Sequence, residues 1–168
     1  MRVKYFTARI VDRPDDPFQS QRQDVYLRAL GTRTGIELYI GHFQTHKKRV
    51  RLARPRNDGS LYDEALITEE KSTDVALGAH LVRDALRGQV QCAVIMSNDS
   101  DLQVPIDMAR DTRVRVVVVN PHYHNGQPHH LEGDERRNLS IRHLRSSQLP
   151  SVLYAADGSP IARPKDWA

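Results

Sequence analysis

The chain has 168 residues, 39% of them apolar, and a mean hydropathy of −0.60. That is enough for a domain with its own core, and no apolar run approaches the ~20 residues of a membrane-spanning helix. A single cysteine excludes a disulfide framework, and the start Met1-Arg2-Val3-Lys4-Tyr5 lacks the shape of a signal peptide, so a cytoplasmic protein is expected. The formal charge of +4 and isoelectric point of about 9.4 rest largely on arginine. Its planar fork suits phosphate, so nucleic acid becomes a candidate partner, although scattered cations also describe an ordinary solvated surface.

Val3 to Val11 reads as a strand, and Asp15-Asp16-Pro17 supplies a cap and a first-turn proline for a helix ending near Gly31. Phe18, Val25, Tyr26, Ala29 and Leu30 form its expected apolar face. Ile36 to Phe43 and Arg49 to Ala53 read as strands around a basic connection, Thr45-His46-Lys47-Lys48, which suggests a hairpin or excursion. Pro55 to Ser60 is rich in turn formers, and Glu64 to Thr68 reads as a short extended piece.

From Ser72 the pattern sharpens. Val75, Ala79, Val82 and Leu86 recur at helical spacing opposite His80, Arg83, Asp84 and Arg87, and Gly88 stops the helix. Gln91 to Met96 and Val114 to Val119 read as strands flanking a helix from Leu102 to Arg110. Runs apolar at every position belong to parallel strands covered on both faces, and Cys92 within the first reads as a small buried hydrophobe. This alternation predicts an α/β fold with a doubly wound, three-layer sheet. After Pro121 come a histidine-rich loop, a helix around Leu139 to Leu144, and a turn at Asp157-Gly158 between Val152-Leu153-Tyr154 and Pro160-Ile161. The expected organisation is one domain over residues 1–149 and a tail over 150–168 with a short hairpin.

The chemistry concentrates at Ser97-Asn98-Asp99-Ser100-Asp101, between the apolar strand and the next helix. Ligands of open α/β sheets collect beyond the carboxyl ends of the strands, and a carboxylate pair there suits a hard divalent cation. The blander reading makes Asp99 or Asp101 a helix cap. A third acid, Asp74, opens the preceding helix, where it also complements the helix dipole. The histidines of His122-Tyr123-His124 and His129-His130 lack the partners of a zinc motif. His42 and His46 need a helix to converge but lie in extended sequence, and Tyr5, Phe6 and Tyr39 read as core.

The run Glu70-Lys71-Ser72-Thr73-Asp74-Val75, then Ser97-Asn98-Asp99-Ser100-Asp101-Leu102, then the strand before Asn120-Pro121, resembles an NYN domain of the PIN-like nucleases. The resemblance runs roughly from Val3 to Leu149 and implies a Rossmann-like α/β/α three-layer sandwich with a mostly parallel sheet, and metal-dependent cleavage of RNA. Asp74, Asp99 and Asp101 match the family's acids and would hold Mg²⁺ or Mn²⁺. Ser97 and Asn98 match positions that shape the acid loop and, with Lys71, are the substrate-binding candidates. The chain departs from the family at its start. Members begin with a central strand ending in Asp, with Asn two residues on, whereas Arg2 to Ala8 matches the second strand. The fourth acid and the first central strand are therefore missing, and neighbouring strands are left with unpaired backbone groups. Either the natural chain begins upstream, or the domain is degenerate, or a second copy or another partner completes the sheet.

Three functions compete. The first is a Mg²⁺- or Mn²⁺-dependent ribonuclease, impaired if the missing strand is truly absent. The second is a non-catalytic RNA-binding or regulatory module. The third is an NADH-dependent hydroxypyridine hydroxylase, since some NYN-like chains carry that name, although no Gly-x-Gly-x-x-Gly fingerprint follows a strand here.

Overall fold

The computed structural model describes residues 1–122, 128 and 130–167. Helices and strands alternate in a mixed α/β fold, and the chain divides into two compact units, Met1–Thr73 with Leu153–Ala168, and Asp74–Val152. Most of the histidine-rich loop lies outside the described residues.

The first unit opens with β1 (Val3–Arg9), α1 (Gln19–Gly31), β2 (Ile36–Arg51) and β3 (Tyr62–Lys71). β1 runs parallel to β2 from Val3 opposite Ile36 to Arg9 opposite His42. β3 returns antiparallel, from Tyr62 opposite Arg51 to Lys71 opposite His42. The expected break at Thr45-His46-Lys47-Lys48 does not occur. Each of those residues has a cross-strand partner, so the basic stretch continues the ladder instead of leaving it. Gly41 is required here, because a Cβ at that position would sit 2.6 Å from the Lys71 carbonyl oxygen.

The cap of α1 also differs from expectation. Neither Asp15 nor Asp16 caps it: Asp16 pairs with Arg22, and Asp12 Oδ1 accepts the Ser20 amide at 2.9 Å. The hydrogen bonds from Ser20 hold the Asp12 carboxyl below its ordinary range. Leu27, Ala29 and Leu30 are the buried residues of the helix, while Phe18 lies exposed before it. Tyr5, Phe6 and Tyr39, expected as core, are only half-buried: Phe6 stacks on Tyr39 at 4.9 Å between centroids, and Tyr5 meets Tyr26 edge-on at 6.2 Å.

The second unit comprises α2 (Thr73–Leu86), β4 (Cys92–Met96), a 3₁₀ turn (Ser100–Leu102), α3 (Gln103–Asp111), β5 (Arg115–Asn120), β6 (Glu135–Asn138) and α4 (Ile141–Ser146). β4, β5 and β6 form a parallel sheet in that order, with Ala93 opposite Val116 and Ile95 opposite Val118. One face of this sheet, together with Leu81, Ala85, Leu102, Ile106, Ala109 and Leu131, builds the core. Back in the first unit, β7 (Val152–Tyr154) and β8 (Pro160–Ala162) form the expected hairpin, with Gly158 at φ +82° in its turn.

Two expectations about burial are corrected. β4 is covered on one face only: Ala93 and Ile95 are inward, whereas Cys92, Val94 and Met96 are exposed, so Cys92 is not a core residue. A two-residue side-chain period on a strand covered on one face forces this alternation whatever the hydropathy of the residues; β5, where Val116, Val117 and Val118 are all buried, is covered on both faces as expected. α2 buries Thr73, Gly78, Leu81, Asp84 and Ala85, so Asp84 lies on the inward side and not on the polar face expected for it, and Val75, Ala79 and Leu86 are exposed. A Cβ at residue 78 would stand 3.0 Å from the Pro105 ring, so the glycine must face α3 and thereby sets the rotation of the helix. β6 was not anticipated. Its sequence, Glu-Arg-Arg-Asn, is polar, but it is an edge strand that needs only backbone pairing with β5.

Arg113 follows α3 at φ +69°, where its amide bonds the Arg110 carbonyl at 2.8 Å. Glycine is the usual occupant of this left-handed position because a Cβ is strained there. Arg113→Gly is expected to stabilise the protein by about 1 kcal/mol, read as a rise of a few degrees in melting temperature.

Candidate functional site

β4 delivers Ser97–Asp101 to the carboxyl end of the parallel sheet. The loop is held by its own polar groups. Ser97 Oγ accepts the Asp99 amide at 3.2 Å, and Asp99 Oδ1 accepts the Asp101 amide at 3.0 Å, capping the 3₁₀ turn. The capping role considered for Asp99 is thus real, and it uses one carboxylate oxygen. The other oxygen of Asp99, and the whole carboxylate of Asp101, are exposed and make no hydrogen bond or ion pair among the described residues.

Asp74 lies in the first turn of α2 and is also exposed. Only five residues separate the end of α2 from β4, so the helix runs back along the unit and starts at the end where β4 finishes. Gly78, one turn after Asp74, approaches Pro105 and Leu102, which directly follow the acid loop. Topology therefore carries all three acids to one edge of this unit. They do not form a closed cage: among the described residues, no three His, Cys, Asp or Glu side chains are grouped to hold a metal ion. The exposed carboxylate oxygens fit a different arrangement, a hard divalent cation held by one or two carboxylates with water completing its shell.

The remaining sequence candidates have distinct surroundings. Asn98 is engaged at both ends, donating to the Pro128 carbonyl at 3.1 Å and accepting the His130 amide at 2.9 Å. Lys71 ends β3 in the first unit and pairs with Glu69 at 2.7 Å. That pairing holds the Glu69 carboxyl below its usual range.

Several supporting residues were missed from sequence. Asn120, fully buried, bonds the Pro128 carbonyl at 3.4 Å and accepts the His122 amide at 3.0 Å. Gln103 grips Glu132 through both backbone groups, at 2.8 and 3.2 Å. Asp134 accepts the Val116 amide at 2.7 Å and Arg110 at 3.0 Å, and those bonds hold its carboxyl low. Together they brace Pro128 and residues 130–134 against the acid loop and the core strand. An asparagine at the end of an all-valine strand, Val116 to Asn120, was the one available signal.

The sequence profile of the NYN domain matches residues 3–132. The chain belongs to the NYN family. Nuclease-like chemistry is a general property of this family of PIN-like domains. The NYN chain is also 33% identical, over 182 aligned positions, to a Pseudomonas putida protein named 6-hydroxy-3-succinoylpyridine 3-monooxygenase. The alignment covers 98% of this chain but 57% of that relative, so the chain spans little more than half its length. No solved structure matches. Among the described residues, no helix is long and apolar enough to cross a membrane.

Proposed function

We propose that this NYN domain hydrolyses RNA phosphodiester bonds, with Asp74, Asp99 and Asp101 holding Mg²⁺ or Mn²⁺ beyond β4. The observation that carries the reading is the pair of exposed carboxylates, Asp99 and Asp101, displayed at the carboxyl end of a parallel strand in a chain of this family. When bound, such an ion supplies charge neutralisation at the phosphate and lowers the pKa of an attacking water. The protein's part is to present Asp101 and the unused oxygen of Asp99 on a turn that the Asp99 cap keeps rigid. Ser97 and Asn98 fix that turn, Ser97 through the Asp99 amide and Asn98 through the Pro128 carbonyl and the His130 amide. Lys71 would meet a phosphate only by giving up its pairing with Glu69. RNA is the substrate of this reading and the cytoplasm its setting.

A second reading takes its support from the name of the P. putida relative, a 6-hydroxy-3-succinoylpyridine 3-monooxygenase: hydroxylation of a hydroxypyridine, with NADH as the reductant that the family resemblance implies. One comparison separates the two. The purified chain is incubated with single-stranded RNA and Mn²⁺, with and without chelator, and in parallel with NADH and 6-hydroxy-3-succinoylpyridine. Cleavage that chelator abolishes, without NADH oxidation, is the expected result. NADH oxidation coupled to the pyridine, with the RNA intact, would establish the second reading instead. RNA bound but uncut would make the domain a binding module.

A further inference from the structure

Six of the chain's 25 Lys and Arg residues fall within residues 44–56, which contain no Asp or Glu. The structure places most of that run on an arm. β1 pairs with β2 only as far as His42, so residues 43–51 of β2 are paired on one side alone, with β3, in an antiparallel two-stranded ribbon. Directly opposed residues share a face, and the face alternates along each strand. One face carries Lys47, Arg49 and Arg51 on β2 and, opposite them in the same order, Leu66, Glu64 and Tyr62 on β3. All six are exposed, Leu66 by 71%.

The three cations stand at alternate positions of one strand, ~6.8 Å apart. They form a straight row of positive charge beside a row containing an apolar and an aromatic side chain. The Arg49 guanidinium lies 4.6 Å from the Tyr62 ring centre and orients that ring, and Thr45 and Thr68 lock the ribbon across the strands at 3.0 Å. Glu64 is the only acid among the six facing residues. This arrangement fits an extended polyanion with flat apolar groups hanging from one side. Cations track its backbone while bases stack on exposed rings and apolar groups. In a duplex those bases would be paired and hidden.

We propose that this face of the β2–β3 ribbon is a binding surface for single-stranded RNA, with Lys47, Arg49 and Arg51 on consecutive phosphates and Tyr62 under a base. The choice of RNA rests on the proposed nuclease function; the ribbon's affinity for a single-stranded polyanion rests on its own geometry.

The test measures binding of a fluorescein-labelled, unstructured single-stranded RNA in chelator, as a function of salt. Each phosphate contact on a single strand adds about 0.7 to the slope of log affinity against log salt, so the Lys47→Ala, Arg49→Ala, Arg51→Ala triple variant should lose about 2 from that slope. Affinity at low salt should fall at least about tenfold. A second triple variant, Arg87→Ala, Arg142→Ala, Arg145→Ala, removes equal charge from exposed positions elsewhere and should leave the slope nearly unchanged. Arg49→Lys with Arg51→Lys keeps the charge and should keep the slope, which guards against loss through misfolding. Equal losses in the two alanine triples would overturn the proposal, as would tight binding of double-stranded DNA with single-stranded RNA unbound. If the parent binds RNA through the ribbon but never cuts it in Mn²⁺, the nuclease reading falls and the ribbon stands. If the parent cuts RNA and the ribbon triple binds and cuts equally well, only the ribbon falls.

Discussion

Asp101→Asn is expected to slow RNA cleavage at least about a hundredfold, equivalent to ~2.7 kcal/mol of lost transition-state stabilisation, while leaving the melting temperature almost unchanged. The Asp101 carboxylate is exposed and, among the described residues, has no hydrogen-bond or ion-pair partner to lose. The asparagine amide has the same shape, so the stability change should stay within roughly 0.5 kcal/mol, as for other exposed substitutions. What the variant removes is a negative charge where the proposed divalent cation would need one. Asp99→Asn makes the same point with a built-in structural control, because asparagine caps a helix about as well as aspartate and should still accept the Asp101 amide. Initial rates on a labelled RNA in Mn²⁺, alongside thermal melts, check both halves of the expectation.

Ile106→Ala should have the largest effect on folding. Ile106 is fully buried in the second unit's core with Leu102, Val116, Val118 and Leu131. Deleting three carbons there removes their burial and leaves a cavity that neighbours fill only in part, costing about 2–5 kcal/mol. Ile106→Val, which removes one carbon, should cost about 1 kcal/mol. Urea denaturation of both variants gives the comparison. Cleavage should fall with stability in Ile106→Ala, since Leu102, in the same core and 2% exposed, directly follows Asp101. A protein that keeps full stability without Ile106 would show that this core is not what supports the acid loop.

The sequence was most readable where hydropathy and local geometry agree. The apolar runs at residues 92–96 and 114–119 became β4 and β5, and the acids fell between strand and helix as the order of motifs implied. Burial was harder to read. Val75 and Leu86 match the helical period as well as Leu81 and Ala85 do, and only the approach of Gly78 to Pro105 decides which stripe turns inward. Cys92 and Val94 look like core from composition, yet the covered face of β4 belongs to Ala93 and Ile95. β6 and the unbroken β2 escaped because polar strands carry little hydropathy signal: their ladders are closed by the backbone, and cross-strand partners are not written locally. At the candidate site, residue types and loop position were legible. The cap at Asp99 was legible as the blander reading of that acid, since its partner, the Asp101 amide, lies only two residues on. The double use of Asn98 and the bracing by Gln103 and Asn120 were not, because their partners are groups on a separate segment of the chain.

The most direct measurement is the rate of single-stranded RNA cleavage by the parent chain in Mn²⁺, with a chelator control, set beside Asp101→Asn under the same conditions. Metal-dependent hydrolysis at the β4 edge predicts cleavage by the parent that chelator abolishes and a loss of at least about a hundredfold in the variant. Equal cleavage by parent and variant, or cleavage indifferent to chelator, would contradict it.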